Sequence, residues 1–451
     1  MIVPRNSLIW LVAATLLPTT VAAAVVGGLW PVVQLLAAVL ACAAVLDAAV
    51  SIRRLDGATA ADAEVVRLTR DVDGVISVRI TPPVGLDRLT FALSLPRGLD
   101  EIEQQQEVLL AGDGQTVRLD WPCRPTRRGR YPLDAIYLQT RSRLGLWLVR
   151  RAVSINVEVR VYPNLLSERK NVAALFLEHG GVGVHAVRQV GQGREFEKLR
   201  EYIPGDSYEN IHWKATAKRG EPVTKVHQVE RTQEVYVLID ASRLSGRLVP
   251  SMKSDGTLDH DNPEPLLERY VTASLVLGRA AERQGDLMGL MTFTDRVEHF
   301  LRAAAGREHF RRCRDALYTV HPEPVAPEFN EVCSFIRTRL RRRALLVFLT
   351  NLDDPLVAEN FQRNVQLIAK QHLVVAGMVR RPDERQLFTG PGVDRVDEIY
   401  QRLGGHLRWG QLVEMDRSLR RRGVTMLTMD NEKLAPQLVS HYVNVKQRQL
   451  L

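Results

Sequence analysis

The stretch 191–242, GQGREFEKLREYIPGDSYENIHWKATAKRGEPVTKVHQVERTQEVYVLIDAS, determines the fold of the chain around it. Its last part, 234–240, is a run of Val, Tyr, Leu and Ile that stops at Asp-Ala-Ser. A short apolar, β-rich run closed by polar residues predicts a buried strand with an exposed C-terminal end. The preceding part holds glycines, paired charges, a Pro-Gly-Asp turn at 204–206, and aromatic residues among lysines and arginines. Such a density of special residues outside any regular period predicts a shaped surface.

Downstream of this stretch, apolar runs alternate with amphipathic segments. The runs that predict strands are 235–239, 287–293, 344–349, 373–379 and 424–428. Helical spacing of apolar residues predicts helices at 265–283 (with Asn262 as its N-cap), 329–343, 356–372, 410–422 and 434–443. Strands that alternate with such helices predict a doubly wound α/β domain, with a parallel sheet and helices on both of its faces.

Upstream of the stretch, residues 60–163 have an apolar period of two. In the run 155–161, INVEVRV, apolar and polar residues alternate strictly, which predicts a strand with one buried face and one solvent-exposed face. Similar runs, separated by turn residues, occur at 75–80, 89–93, 116–121 and 135–138. Several short strands at this spacing predict a small antiparallel β-sandwich.

The N-terminal residues predict a transmembrane helical hairpin. Residues 7–29 and 31–46 carry no charge, and each run is long enough to cross a hydrocarbon core of about 30 Å. Arg5 precedes the first helix, arginines at 53–54 follow the second, and the turn between them is uncharged. The positive-inside rule then predicts a two-pass protein of the cell (inner) membrane with both termini and the soluble domains in the cytoplasm. The alternative is a signal peptide cleaved near 22–24, after which the second apolar run would still return the chain to the cytoplasm.

The composition is that of a folded protein of 451 residues, 45% hydrophobic and 25% charged, and its length predicts two or three domains. A formal net charge of +9 raises nucleic acid as a partner. The arginine-rich runs 337–343 and 417–422 end predicted helices, where cations favour the helix dipole, so we expect no nucleic-acid binding. The alternative for these runs is an acidic partner or anionic lipid. The four cysteines are far apart, which predicts neither a zinc site nor a disulfide framework.

Polar residues at the predicted strand ends are candidates for chemistry. Asp240, Ser242, Thr294 and Asn351 follow neighbouring strands, and ligands of open parallel sheets bind at these carboxyl ends. Their oxygens suit a hard cation such as Mg²⁺, whereas the competing interpretation is that Asp and Asn are ordinary turn formers there. The sequence has no phosphate-loop, nucleophile-elbow or zinc-protease motif, and it predicts no catalytic constellation.

The stretch 191–242 resembles the signature of the bacterial domain-of-unknown-function 58 proteins. That signature is roughly G-x-x-F-x-x-L-R-x-Y-x-x-G-D-x-x-x-x-I-x-W-x-A-x-A-[RK], followed by a strand that ends in D-x-S. The matching positions are Gly193, Phe196, Leu199, Arg200, Tyr202, Gly205, Asp206, Ile211, Trp213, Ala215, Ala217 and Lys218. Arg128, Tyr131 and the run 144–146 also resemble the family, as does the N-terminal hairpin, so the resemblance covers most of the chain.

The resemblance implies a β-sandwich followed by a von Willebrand factor A-like domain. It also implies a MoxR-type AAA+ ATPase as partner, in the maturation or assembly of other proteins. The metal site of A-domains uses D-x-S-x-S, a distant Thr and a later Asp. Here Asp240 and Ser242 match the first two ligands, Leu244 replaces the second Ser, and Asn351 stands at the late position, near Asp353. The implied metal site is therefore degenerate, so we expect no cofactor, and Mg²⁺ is the one candidate for the site.

The signature residues with a candidate role are Arg200, Tyr202, Gly205, Asp206, Trp213, Lys214 and Lys218. In a structural interpretation, Trp213 and Tyr202 pack the loop over the sheet and Asp206 caps a helix at 208–218. Arg200 would then pair with a carboxylate such as Glu230. In a functional interpretation, Arg200 and the two lysines face a protein partner or a peptide.

These inferences combine into one predicted architecture and function. The predicted order is a hairpin (1–54), a β-sandwich (55–165), the signature segment and linker (166–233), the A-like α/β domain (234–430) and a C-terminal helix (431–451). The leading hypothesis is a membrane-anchored cytoplasmic scaffold or adaptor without enzymatic activity, bound to the lipid membrane and to an AAA+ ATPase. The alternatives are a metal-dependent enzyme that acts around Asp240 and an extracellular adhesion module.

Overall fold

The computed structural model of the chain divides into two compact units, Met1–Asn164 and Leu165–Leu451. The described residues are 1–60, 64–103, 105–165, 190–191, 195–204, 208–228, 233–252, 258–387 and 396–448. Much of the predicted linker, together with Gly193, Gly205, Asp206 and Glu230, therefore lies outside the described residues.

The first unit begins with a short strand, β1 (Ile2–Pro4), and two apolar helices. Helix α1 (Asn6–Val25) has 20 residues and helix α2 (Trp30–Ser51) has 22, and both are long and apolar enough to cross a membrane. At about 1.5 Å per residue each helix is about 30 Å long, which matches a hydrocarbon core. Many of their large apolar side chains are exposed, as is expected of helices that a membrane surrounds.

The rest of the first unit is a pair of β-sheets. Its strands are β2 (Thr59–Ala60), β3 (Glu64–Thr69), β4 (Gly74–Thr81), β5 (Arg88–Leu93), β6 (Leu99–Glu101), β7 (Gln106–Leu109), β8 (Val117–Pro125), β9 (Gly129–Arg141) and β10 (Trp147–Tyr162). One sheet has the order β1-β10-β9-β5-β7 with β3 also on β10, and the other has the order β2-β4-β8-β6.

Alternation of apolar and polar residues gives both sheets a buried face. In β8, for example, Leu119, Trp121 and Cys123 are buried, and Trp121 lies edge-on to Phe91 of the other sheet with ring centroids 5.5 Å apart. The sheets are antiparallel, as predicted, except that β3 runs parallel to β10. Because β10 has 16 residues, its edge accommodates β1 along its first part and β3 along its last part.

The signature segment opens the described part of the second unit. Strands β11 (Val190–Gly191), β12 (Glu195–Glu201) and β13 (Val223–Gln228) form a small antiparallel sheet of order β11-β13-β12. Between β12 and β13 lie a 3-10 turn (Tyr208–Asn210) and helix α3 (Trp213–Arg219). The helix predicted at 208–218 therefore begins later, at Trp213. Its cap is His212, whose Nδ1 accepts a hydrogen bond from Ala215 N (3.0 Å).

A larger sheet forms the centre of the second unit. Its strands are β14 (Glu234–Asp240), β17 (Leu287–Phe293), β18 (Val297–Ala304), β19 (Leu345–Leu349), β20 (Leu373–Val379) and β21 (Val424–Met429), and a separate hairpin comprises β15 (Leu248–Met252) and β16 (Leu258–Pro265). The sheet order is β18-β17-β14-β19-β20-β21, and all neighbours are parallel except β18, which is antiparallel to β17. Continuous apolar runs in the parallel strands are explained by burial on both sheet faces.

Six helices cover this sheet: α4 (Leu266–Arg283), α5 (Arg307–Leu317), α6 (Phe329–Arg339), α7 (Pro355–Ala369), α8 (Val396–Arg421) and α9 (Leu434–Gln447). Successive side chains of β14 point to opposite faces. Val235, Val237 and Ile239 join the core formed with α4, α5 and α9. Tyr236 and Leu238 join the core formed with α6, α7 and α8. Because β17, β14, β19, β20 and β21 are parallel, their carboxyl ends meet at one edge of the sheet.

Two local predictions were wrong, and two elements had no predicted bounds. Asn262 lies in β16 and does not cap a helix; α4 begins at Leu266, directly after Pro265. Strand β18 had not been predicted, and the helix-like run around Cys313 had been given no bounds. Helix α8 begins at Val396, well before the predicted start at Gly410. Position 405 of this helix requires glycine, because a Cβ there would be 1.9 Å from the backbone oxygen of Asp383.

Candidate functional site

Helix α3 is attached to the signature sheet by one of its sides. Thr216 Oγ1 accepts a hydrogen bond from Val223 N (3.0 Å), and His212 N donates to Val223 O (2.8 Å). Ile211, just before the helix, is buried. These contacts fix which face of the helix is turned away from the sheet.

The opposite face of α3 is open. Trp213 is 69% exposed, and Lys214, Ala217 and Lys218 are exposed too. Positions four apart share a side of a helix, so Trp213 lies above Ala217 and Lys214 above Lys218. Trp213 is therefore not buried as a core residue would be. Large exposed aromatic side chains are typical of protein interfaces.

Further exposed apolar side chains lie in the same segment, just before α3. Tyr202 stacks against Tyr208 with ring centroids 6.0 Å apart, and Tyr208 is 74% exposed. Ile203 is 57% exposed. We call the set Tyr202, Ile203, Tyr208, Trp213, Lys214 and Lys218 the signature surface.

The remaining signature residues contribute less to this surface. Arg200 is half-buried, and its Nη1 donates to Glu201 O (3.1 Å). The candidates Gly205 and Asp206 lie outside the described residues, as does Glu230, the proposed partner of Arg200. The exposed fraction of Trp213 does not fit the structural interpretation, in which this side chain packs over the sheet.

The second candidate region is the carboxyl edge of the main sheet, where Asp240 ends β14. The Asp240 side chain is completely buried, and both of its oxygens accept hydrogen bonds. Oδ1 accepts from Ser242 N (2.8 Å), and Oδ2 accepts from Thr350 Oγ1 (2.6 Å). Burial raises the pKa of Asp240, and the hydrogen bonds from Ser242 and Thr350 oppose that shift. Tyr270 closes the site, because its hydroxyl donates to Thr350 O (2.8 Å).

Beside Asp240, two arginines neutralise the next carboxylate. Asp353 Oδ2 accepts from Arg247 Nη1 (3.1 Å) and from Arg381 Nε (2.8 Å). Arg247 also donates to Val379 O (2.9 Å), so its guanidinium is fixed at the strand ends. Asn351 Oδ1 accepts from Asp353 N (2.9 Å), which makes Asn351 the first residue of a tight turn.

The predicted metal ligands Asp240, Ser242 and Asn351 lie at the same edge, since β14 and β19 are parallel neighbours. Their donor set is a poor fit for Mg²⁺, which prefers six oxygens including ionised carboxylates and waters. Asp240 and Asn351 already use their oxygens within the chain, and arginine provides the positive charge beside them. Among the described residues, no group of three His, Cys, Asp or Glu side chains is placed to hold a metal ion.

A cavity of about 350 Å³ opens next to this edge, between α7, α8 and the turn after β20. Asp353, Glu384, Arg408 and Glu414 are among its polar lining residues. Glu384 is only 1% exposed, and its Oε2 accepts from Arg381 N (3.0 Å). Burial raises the pKa of Glu384, and the charge of Asp353 raises it further, while Arg381 and Arg247 act in the opposite direction. The cavity has room for a small polar molecule or for one side chain of a partner.

Sequence reasoning did not find Arg247, Tyr270 or Glu384. Arg247 and Asp353 are 106 residues apart, and no fixed spacing connects them. The position of Arg247, shortly after the D-x-S strand end, was a signal that it could lie near Asp240. An arginine on a solvated loop has the same sequence pattern, so the signal was not specific.

Several solved structures resemble part of the chain, each with low sequence identity. One is the conserved hypothetical protein BatB from Bacteroides thetaiotaomicron, with 13% identity over 48% of this chain and 99% of that chain and a TM-score of 0.30. Another is an aerotolerance-related membrane protein from Bacteroides fragilis, with 14% identity, 47% and 98% coverage and a TM-score of 0.29. The SpRpn10 VWA domain has 13% identity, 47% and 94% coverage and a TM-score of 0.27. These scores are too low to carry an argument about function, and no curated protein matches the chain.

A family model, in contrast, matches directly. The model described as protein of unknown function DUF58 matches residues 198–398. This range includes the signature surface, Asp240 and Asn351, and it confirms the resemblance predicted from the stretch 191–242. The match covers residues 198–398, less than half of the chain, so the chain contains a region similar to the DUF58 family.

Proposed function

We propose that this protein is a membrane-anchored adaptor that binds other proteins through the signature surface and has no enzymatic activity of its own. The observation that carries the proposal is the exposure of Trp213 beside Lys214 and Lys218, inside the family region. Tryptophan and tyrosine supply much of the binding energy of protein interfaces when a partner covers them. The lysines favour a partner with an acidic surface.

The partner that the family resemblance implies is a MoxR-type AAA+ ATPase, acting with this chain in the maturation or assembly of client proteins. In this proposal the α/β domain is a von Willebrand factor A-like module. Its closed strand edge would hold the domain rigid while the signature surface makes contact. The cavity beside Glu384 offers a second, smaller contact for the same partner or for a client.

The two apolar helices would place this activity at the cell (inner) membrane. Support comes from their length and exposed apolar surface, and from Arg5, Arg53 and Arg54 at the outer ends of the hairpin. Cationic residues next to membrane spans favour the cytoplasmic side, so both termini and the domains after the hairpin would be cytoplasmic. An active extracytoplasmic reporter fused after Leu451 would overturn this orientation.

A metal-dependent enzyme at Asp240 is the second candidate. The clustering of Asp240, Ser242 and Asn351 at one sheet edge favours it, but the oxygens of Asp240 and Asn351 are already bonded within the chain. The adaptor therefore explains more of the exposed chemistry than the enzyme does.

The test is capture of the purified MoxR-type ATPase by the full-length chain in lipid nanodiscs. Trp213→Ala, and a Lys214→Glu, Lys218→Glu double variant, should each weaken binding by roughly tenfold or more. The matched control is Leu109→Ala, because Leu109 is 73% exposed and lies in neither the signature surface nor the wall of the cavity. Equal binding by all variants would contradict the role of the signature surface. The unsubstituted chain could fail to capture the ATPase and still retain other proteins from native membranes that the variants do not retain. That result would support the adaptor role and contradict the ATPase as its partner.

A further inference from the structure

The loop at residues 142–146, between β9 and β10, packs against the end of helix α2. Together with Trp147, the first residue of β10, we call it the membrane loop. Asp47 Oδ2 accepts a hydrogen bond from Ser142 Oγ (2.6 Å), and Asp47 Oδ1 accepts from Leu144 N (3.0 Å). Asp47 is 3% exposed, so the membrane loop covers the one carboxylate of α2. A buried carboxylate needs such donors, and here the β-sandwich provides them.

The same loop also holds the start of helix α1. Gly145 O accepts from Ser7 Oγ (2.8 Å), and Leu146 O accepts from Arg5 N (3.0 Å). Strand β1, just before α1, pairs with the beginning of β10. The membrane loop is therefore fixed to both helices at the end of the hairpin where the chain enters and leaves it.

The loop reaches some distance along α2. Trp147 Nε1 donates to Ala44 O (2.9 Å), and Ala44 precedes Ser51, the last residue of α2, by seven residues. At about 1.5 Å per residue this contact lies about 10 Å inside the end of the helix. If α2 crosses a bilayer, the tip of the β-sandwich therefore lies at the depth where the apolar span begins.

The side chains that the loop presents at this depth suit a lipid surface. Leu144 is 66% exposed, and Arg143 beside it is exposed. Trp10, in the second turn of α1, is 74% exposed. Apolar, aromatic and arginine side chains occur together at membrane interfaces, where the apolar group enters the boundary of the acyl chains and arginine binds lipid phosphate.

We propose that the membrane loop is a third membrane contact, with Leu144 in the boundary between headgroups and acyl chains and Arg143 on the phosphates of anionic phospholipids. The inference rests on the proposed membrane anchor and adds to it. Hydrogen bonds already fix the loop to the two helices, and the lipid contact would add a third attachment of the same unit to the bilayer.

The test measures the depth of a spin label in the full-length chain in nanodiscs that contain anionic lipid. Native Cys42, exposed on α2, reports on the anchor, and the other cysteines, Cys123, Cys313 and Cys333, are buried. Leu144→Cys and Val72→Cys, each with Cys42→Ser, carry the label at the loop and at a control site.

Val72 is a suitable control because it lies at the far end of the sandwich. Arg70 N donates to Tyr162 O and Asp71 N to Pro125 O, which places the turn containing Val72 near the start of β9. The membrane loop follows the end of β9, and 13 residues of strand span roughly 40 Å.

We expect collisions with oxygen, relative to a water-soluble nickel chelate, to be several times more frequent at position 144 than at position 72. A label at 144 that is as accessible to nickel as the label at 72, with Cys42 deep in the bilayer, would overturn the loop contact and leave the anchor standing. A water-exposed Cys42 would overturn the anchor itself. Unfolding midpoints equal to that of the unsubstituted chain show that the variants are folded.

A second measurement tests the phosphate contact. Arg143→Gln should reduce the excess of phosphatidylglycerol over phosphatidylcholine retained by the purified full-length chain. Arg127→Gln, an exposed arginine at the far end of the sandwich, is the matched control and should retain the full excess. Equal retention by both variants would show that Arg143 does not bind lipid phosphate.

Discussion

Asp240 and Trp213 belong to the same stretch of sequence, yet their surroundings are opposite. Asp240 is fully buried, and both of its oxygens are bonded to groups of its own chain. Trp213 is 69% exposed on a helix whose other side is bonded to a sheet. A polar group whose hydrogen bonds are made within the chain has few remaining for a ligand. An exposed indole, in contrast, makes binding more favourable when a partner covers it. The comparison separates a closed strand edge from an open binding surface.

The largest expected effect is on stability. Asp240→Ala removes the acceptor of two buried donors, Thr350 Oγ1 and Ser242 N, and should lower the free energy of unfolding by about 2–4 kcal/mol. Thiol labelling of Cys313 and Cys333 during urea titration of the full chain measures this in the second unit, because both cysteines are buried there. Burial raises the pKa of Cys313 to about 11 and of Cys333 to about 12, so neither reacts while folded. An Asp240→Ala chain as stable as the original would show that the strand edge is not closed.

A pH-dependent effect should follow at the cavity. The folded pKa of Glu384 is raised by burial, so its contribution to stability is fully present below the ordinary glutamate pKa and is lost as the pH rises through the folded pKa. Glu384→Gln has no charge to bury and keeps an acceptor for Arg381 N. The variant should match the original chain near pH 4 and be the more stable one near pH 7, by urea midpoint. A gap that is constant with pH would contradict a raised pKa.

A small effect is expected at the open surface. Trp213→Ala should change the free energy of unfolding by less than about 0.5 kcal/mol, because little of the side chain is buried. The positive control is Phe361→Ala, at a fully buried site of the same unit, which should cost about 3–5 kcal/mol. A large loss of stability in Trp213→Ala would mean that the signature residues serve packing, and the comparison would fail.

The smallest expected effect is that of metal. Millimolar Mg²⁺ or Mn²⁺ should leave the urea midpoint of the full chain unchanged, because a ligand stabilises a fold only when it binds the folded state. A shift that is present in the original chain and absent in Asp240→Asn would restore the metal-dependent enzyme as the better hypothesis.

The parallel strands could be predicted from sequence because each is a continuous apolar run, and the runs agree with the strands to within two residues. Strand β18 was missed because its side chains are nearly all half-buried and show no alternation. The bounds of helix α5 were missed because charged residues dominate it and only His309, Cys313 and Leu317 are buried. The early part of α8 was missed because glycine normally indicates a break, and the close contact of Gly405 with Asp383 is visible only in three dimensions.

The candidate sites were predicted to different degrees. The signature residues could be singled out by their types, but their exposure depends on which side of α3 bonds to β13. The D-x-S strand end could be located, whereas its closure depends on Thr350, Arg247 and Tyr270, which come from three other segments. The sequence therefore identified the candidate residues but not which of them make their hydrogen bonds within the chain.

The pairing of β1 with β10 has a consequence for the order of biosynthesis. Residues 2–4 bond to residues 147–149, with both apolar helices between them in the sequence. The sandwich consequently cannot close until the ribosome has released residue 149, long after α1 and α2 have emerged. If the two helices enter a membrane during synthesis, they do so before the pairing of β1 with β10 can form.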